Sequence, residues 1–156
     1  MMNFREDGFT LIELLVVIFT IGLLAGILLP NFVSSRERAR DARRKHDLNE
    51  IKTALRLYYN DNQSYPEVVS FGTSWPPYMQ VVPNDPLEER TYGYCVDDNR
   101  DKFLLFAQLE NRGDSDINSS AARCGVSSGT WSGGACDDLD DCFSGETNLC
   151  YYVCGD

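Results

Sequence analysis

The sequence predicts an α+β chain in which a long N-terminal helix packs the C-terminal half of its length on a small antiparallel sheet, followed by an irregular, disulfide-rich region. Three observations carry this expectation. An apolar run extends from Phe9 to Leu29, 21 residues in which Glu13 is the only ionisable side chain. Beyond it, Leu48, Ile51, Leu55 and Tyr58 follow 3-4-3 spacing, the mark of an amphipathic helix. All six cysteines, Cys95, Cys124, Cys136, Cys142, Cys150 and Cys154, fall in the head beyond the helical part, with none in that part.

In chain order, residues 1–8 form a short polar leader with Arg5, Glu6 and Asp7 and no structural pattern. Residues 9–30 form the first half of the helix. A bilayer core takes about 20 apolar residues as a helix, and a secretory signal core only about 7–15, so this run reads as a transmembrane segment. An acidic side chain costs about 2.5–3.5 kcal/mol at the centre of such a helix and less near its edge, so Glu13 calls for a partner. Gly22 and Gly26 have the small-xxx-small spacing that lets helices approach closely in lipid. Pro30 removes a backbone hydrogen bond, which makes 22–30 the softest stretch of the helix.

Residues 31–60 continue as an amphipathic helix. Ala39, Ala42 and Ala54 are expected to add small contacts to the apolar face, with Arg40, Arg43, Arg44 and Lys52 filling the remaining circumference. Asn60-Asp61-Asn62 and then Pro66 end the helix. Residues 61–156 form the globular head. Pro66, Pro76, Pro77, Pro83 and Pro86 make 61–90 an irregular connection with room for one short helix. Strands are expected near 91–96, 103–109 and 149–153, with 97–102 as a hairpin turn between the first two. Residues 111–148 are rich in Gly, Ser, Asn and Asp, bury little core and depend on disulfides for order.

Charge and cysteine usage bound the function. Residues 34–56 hold eight basic and four acidic side chains, whereas residues 57–156 hold five basic and seventeen acidic. Two readings of that asymmetry stand: attraction between the head of one copy and the stem of another, or a solvated surface. An acidic head argues against direct nucleic-acid binding. Six cysteines without any Cys-x-x-Cys pair, and a single histidine (His46) in the stem, favour three disulfides in an oxidising compartment over zinc; fifteen pairings are open. Asp114, Asp116 and Asn118 have the spacing that opens a calcium loop. The glycine and glutamate such a loop needs further on are missing, so a solvated acidic loop is expected and calcium remains the one candidate cofactor. No nucleophile–base pair, phosphate loop or metal signature is present. Carboxylate pairs such as Asp97-Asp98 and Asp137-Asp138 lie in polar turns, and nothing supports catalysis.

Gly8-Phe9-Thr10-Leu11-Ile12-Glu13, the apolar span, Gly22, Pro30 and the amphipathic continuation resemble the type IV pilins and type II secretion pseudopilins over residues 8–60. The resemblance implies the type IV pilin fold and cleavage by prepilin peptidase between Gly8 and Phe9. It further implies N-methylation of Phe9, now the first residue of the mature chain, and pairing of Glu13 with the amino terminus of a neighbouring subunit. Pro30 matches the family's helix-breaking proline. Residues 48–66 and Val82-Pro83-Asn84-Asp85-Pro86 look like the corresponding stretches of the major pseudopilins, whereas the six-cysteine head departs from them. The leader departs too. It carries one arginine and two acids, and the basic residues follow the span, so the positive-inside rule alone would put the head in the cytoplasm. The cysteines and the cleavage motif overrule it.

The function this implies is a structural subunit that polymerises through its N-terminal helix into a type IV pilus or a secretion-type pseudopilus. Its expected partners are copies of itself and other pilins, prepilin peptidase, an inner-membrane assembly platform and, before assembly, lipid. It would cross the inner membrane once with the head outside the cytoplasm, then enter a periplasmic or extracellular filament. The alternative is a monomeric membrane-anchored binding or adhesion module. Tyr92, Tyr94, Tyr151, Tyr152, Trp75 and Trp131 would then offer a recognition surface, with at least half of them serving as core instead.

Overall fold

A computed structural model describes residues 9–127, 130–133, 136 and 149–155, and within this range the side chains of 27–31 are left aside. The leader, Cys142 and Asp137-Asp138 lie outside the described residues. Helix α1 (Leu11–Asn62) is followed by β1 (Gly93–Val96), β2 (Phe103–Gln108), α2 (Asp116–Cys124), β3 (Val126–Ser127), β4 (Thr130–Trp131) and β5 (Cys150–Gly155). The chain divides into two compact units after Arg36.

In the first unit the described side chains are unpacked. Its large apolar residues are all exposed, from 47% at Val17 to 86% at Phe9. Among the described residues no helix is long and apolar enough to cross a membrane. The run of described apolar side chains that begins at Phe9 ends at Ala25, short of the roughly 20 residues that a bilayer core takes. Gly22, Gly26 and Pro30 all lie within the continuous helix α1.

The second unit is organised by β2, the centre of an antiparallel sheet in the order β1-β2-β5. Phe103 to Ala107 are buried on both sides, which explains the weak alternation of this strand. Phe103, Leu105 and Ala107 meet Leu48, Ile51 and Leu55 of α1 in one cluster. Leu104 and Phe106 meet Cys124, Val126, Trp131 and Tyr152 in another. Burying each such aliphatic or aromatic side chain stabilises the fold by about 1.5–3 kcal/mol. Register is tight where Gly93 faces Phe106, because a Cβ at Gly93 would stand 2.0 Å from the Phe106 ring. The hairpin between β1 and β2 is shaped by Asp97, whose carboxylate accepts from Lys102 N–H at 2.8 Å.

Several expectations need correction. Residues 61–90 contain no helix beyond the last turn of α1; the prolines leave a turn in which Trp75 and Met79 make an isolated bridge. Within 111–148, α2 and the β3–β4 pair build a second core instead of a core-poor loop. Helix α2 ends on Gly125, whose left-handed φ of 66° lets its N–H close on Ala121 and Ala122 carbonyls. Ser120, fully buried, accepts from Tyr152 N–H at 3.1 Å and so satisfies the outer edge of β5. Third, Ala39 and Ala42 are exposed while Ala54 alone is buried, because the inward stripe of α1 continues toward its N-terminus through Arg44 and Asp41.

Two disulfides staple this unit, Cys95–Cys136 and Cys124–Cys154, with Cα separations of 5.5 and 5.6 Å. Cys150 is disulfide-bonded as well. The fold is thus α+β with its disulfides in the C-terminal region.

Arg44 was expected on the solvent face and is instead fully buried. Its guanidinium donates to both Asp85 oxygens at 2.6 and 2.9 Å, to Asp41 at 2.7 Å and to Glu110 at 2.7 Å. Arg40 adds a donor to Glu110 at 2.7 Å. Asp41 also accepts from the backbone N–H groups of Glu110 and Asn111, holding the exit of β2. Burial alone would lower the Arg44 pKa, but these carboxylates outweigh it and hold the guanidinium charged. Lys45 binds Asp114 and Asp116, each at 2.7 Å, so the acids considered for calcium hold an ammonium group instead of forming a solvated loop. Part of the stem-to-head charge attraction is therefore spent within one chain.

Removing one member of a buried ion network leaves the others unpaired, at a cost of about 3–5 kcal/mol. Arg44→Met in the detergent-solubilised full chain should lose about that much in urea unfolding, whereas Arg43→Met, at an exposed side chain, should change stability by less than about 0.5 kcal/mol. Acid should probe the same network. The Arg40 guanidinium, against the opposing effect of burial and with help from Arg44, lowers the Glu110 pKa from its ordinary 4.5 to about 2. A carboxyl group depressed in the folded state contributes stability above its unfolded pKa and loses it as pH falls through the folded value. Unfolding free energy should therefore decline between pH 4.5 and about 2, and Glu110→Gln should remove that component of the slope.

Candidate functional site: the N-terminal segment of helix α1

Thr10 is the residue immediately before α1, and its carbonyl accepts the first helical hydrogen bond, from Leu14 N–H at 3.3 Å. Glu13, three residues on, reaches back. Its Oε2 accepts from Thr10 N–H at 2.9 Å and from Thr10 Oγ1–H at 2.7 Å, while Glu13 N–H donates to Thr10 Oγ1 at 3.4 Å. This is a reciprocal capping box, which satisfies donors that a helix start leaves open. It also places the carboxylate near the positive end of the helix dipole. The Thr-x-x-Glu spacing before an apolar run signals such a box in the sequence, and Thr10 is the site residue that reading the acid alone misses.

The cap fixes the chemistry available here. A carboxyl group is held at the first turn of a helix whose next described residues, Leu14 to Ile18, offer no polar side chain. Phe9, 86% exposed, precedes it. Leu15, Ile18, Phe19, Gly22 and Leu23 line a shallow apolar groove along one side. A Cβ at Gly22 would meet nothing within 4 Å. The structure brings Phe9, Thr10 and Glu13 together at the helix start and sets Gly22 and Gly26 farther along the same helix. Gly8 lies outside the described residues.

Elsewhere no competing site takes shape among the described residues. His46, Asp47 and Glu50 place potential ligand atoms within 4.8 Å of one another. Asp47, however, already accepts from the Tyr92 hydroxyl at 2.8 Å. The expected aromatic surface dissolves into the core: Tyr92, Trp131 and Tyr152 are buried, and Trp75, Tyr94 and Tyr151 pack against the first cluster.

The prokaryotic N-terminal methylation motif matches residues 3–29. The Type II secretion system core protein G of Pseudomonas aeruginosa is 38% identical over 118 residues, covering 66% of this chain and 82% of that protein. The protein of the same name from Pectobacterium carotovorum is 38% identical over 64 residues, 41% of each chain. The Type IV major pilin protein PilA of Myxococcus xanthus is 31% identical over 94 residues, 60% of this chain and 38% of that one. The chain thus spans about two fifths of the length of the Pectobacterium and Myxococcus relatives. No solved structure matches it significantly. These relatives are structural proteins, and the methylation motif coincides with the capped, unpacked helix start: the chain belongs to the type IV pilin and type II secretion pseudopilin family.

Proposed function

We propose that this chain is a structural subunit of a helical filament, a type IV pilus or a type II secretion-type pseudopilus, and not an enzyme. The observation that carries this reading is the helix start itself. A run of exposed apolar side chains carries a single carboxylate, and such a surface is stable in water only when something covers it. Lipid covers it first and the equivalent helices of neighbouring subunits afterwards. Exchange of lipid for identical helices is close to neutral in hydrophobic terms, so packing and polar pairing give assembly its direction.

The processing follows from the same segment. Cleavage by prepilin peptidase between Gly8 and Phe9, with N-methylation of Phe9, leaves Thr10 and Glu13 in the capping box and creates a new cationic amino terminus. Both Thr10 donors land on Glu13 Oε2, and Oε1 accepts nothing from the described residues. That oxygen suits the ammonium group of an adjacent subunit, a charge pair that gains strength away from water. The inner-membrane assembly platform and other pilins are the further partners of this reading. Gly22 and Gly26 give neighbouring helices room to approach, and Pro30 softens the helix beyond them.

Glu13→Ala tests the proposal. The variant should remain in the membrane fraction at wild-type level and should be cleaved, because the cut precedes Phe9, yet it should be depleted from sheared filaments by at least about tenfold, the loss of roughly 1.4 kcal/mol in a partition between membrane and polymer. Filaments containing the variant at wild-type abundance would contradict the assigned role of Glu13.

A further inference from the structure

The Cys95–Cys136 and Cys124–Cys154 bridges interleave in sequence. Cys124 is the first cysteine to follow Cys95, yet it belongs to the other bridge. A Cys95–Cys124 bridge would use up one member of each native pair and leave neither able to form.

The fold keeps the two pairs apart. Cys95 of β1 is in register with Leu104 of β2, which is in register with Cys154 of β5. Two strand spacings, about 10 Å, therefore separate Cys95 from Cys154. Cα atoms more than about 7 Å apart cannot be bridged without moving the backbone. Cys124 ends α2, which packs on β5, and finds its partner there. Each edge strand thus has its own staple, β1 through Cys136 and β5 through Cys124. Both bridges belong to the second core cluster, where Cys95 is 8% and Cys124 6% exposed. Sulfurs so covered are shielded from an attacking thiolate, so a wrong pair has to be exchanged before this core closes.

Order of arrival favours the wrong pair. With α1 held in lipid, the head crosses in chain order, Cys95 first, then Cys124, then Cys136. Cys95 and Cys124 are 29 residues apart and the native partners 41, so the wrong loop is no costlier to close. Twelve more residues emerge before Cys136 is present, which takes about a second at synthesis rates of about 5–20 residues per second. Unfolded loops close far faster, so Cys95 and Cys124 meet many times without a competitor.

We propose that the head is a substrate of a thiol–disulfide isomerase on the oxidising side of the membrane, which exchanges a Cys95–Cys124 bridge for Cys95–Cys136. The inference rests on export of the head and not on its entry into a filament. In the first oxidation the Cys95 and Cys124 thiols give two electrons and two protons to the disulfide of an oxidising protein, which becomes a dithiol. A reduced cysteine thiolate of the isomerase attacks the Cys95 sulfur, forms a mixed disulfide and releases Cys124 as a thiolate. The Cys136 thiolate attacks the same Cys95 sulfur and expels the isomerase thiolate, with no net oxidation. Cys124 and Cys154 then give two electrons and two protons to a second oxidising disulfide, and burial of the cluster holds both pairs.

The test maps the bridges of the full chain made in bacteria that export and oxidise it. One set of cells has an active exported isomerase, and in the other its reactive cysteines are replaced by serine. Free thiols are alkylated before lysis, and the chain is cut with trypsin and chymotrypsin. Cleavage after Trp131 separates Cys124 from Cys136, so the fragment joined to Cys95 identifies the pair. Without active isomerase the Cys95–Cys136 link should fall at least about threefold, with a Cys95–Cys124 link in its place, because the exchange step is lost. In the variant Cys124→Ala with Cys154→Ala, Cys136 is the first cysteine after Cys95. The fraction of Cys95 joined to Cys136 should then be the same in both sets of cells, whatever the abundance of the variant. Equal Cys95–Cys136 yields from the unsubstituted chain in both sets would overturn the proposal. A loss in the double variant as large as in the unsubstituted chain would overturn it too, since it would show general folding assistance. Free thiols at all six cysteines in both sets would instead refute export of the head, and the proposal would fall with it.

Discussion

Arg44 holds a full positive charge where no water reaches it, and the arrangement of the head follows from the need to compensate that charge. Its guanidinium fork engages Asp85 with two hydrogen bonds and Asp41 and Glu110 with one each, so donors on a single side chain tie helix α1 to the loop before β1 and to the exit of β2. An arginine suits this place because its planar donors match carboxylates pairwise and stay charged under any condition the protein meets. The apolar contacts of Leu48, Ile51 and Leu55 supply most of the burial energy, but they tolerate some sliding along the sheet. A buried ion network does not, since displacement leaves a charge unpaired. The clamp therefore sets where along α1 the sheet is seated and which way the turn at 87–90 faces.

Helix α1 serves two environments. From Leu48 onward it buries a stripe against β2, and the second cluster on the far face of β2 adds α2 and two disulfides. In the first unit the same helix presents apolar side chains on every side, with one carboxylate tied into its own cap. A capped start lets such an apolar helix begin with donors of its first turn satisfied, and it fixes the direction of the acid. The charge asymmetry between stem and head has a corresponding division: Arg40, Arg44 and Lys45 are consumed in folding, and Arg38 and Arg56 remain outside.

Much of this was legible in the residues. The apolar run, the single acid within it and the 3-4-3 stripe from Leu48 to Tyr58 are local patterns that tertiary context does not override, and they place both halves of α1. The strands around Cys95, Leu105 and Val153 were also readable, with shifted ends. Arg44 was not, although it and Asp41 continue the same 3-4 spacing. A basic side chain reads as solvent-facing unless its acids are known, and here they lie 41 and 66 residues away in sequence. Helix α2 was hidden by composition. Asp-Ile-Asn-Ser-Ser has poor helix propensity, and the inward position taken by Ser120 breaks the apolar period that would have revealed it. The Thr10–Glu13 box is present in the sequence as a spacing, but an acid at the edge of an apolar run points equally to a distant partner.

The most direct measurement is electron microscopy of sheared cell-surface or periplasmic material together with mass spectrometry of the N-terminal peptide of this chain. The account predicts thin fibres containing the chain, with N-methylated Phe9 as its first residue. Recovery of the chain only from membranes, beginning at its leader and absent from any fibre, would contradict it.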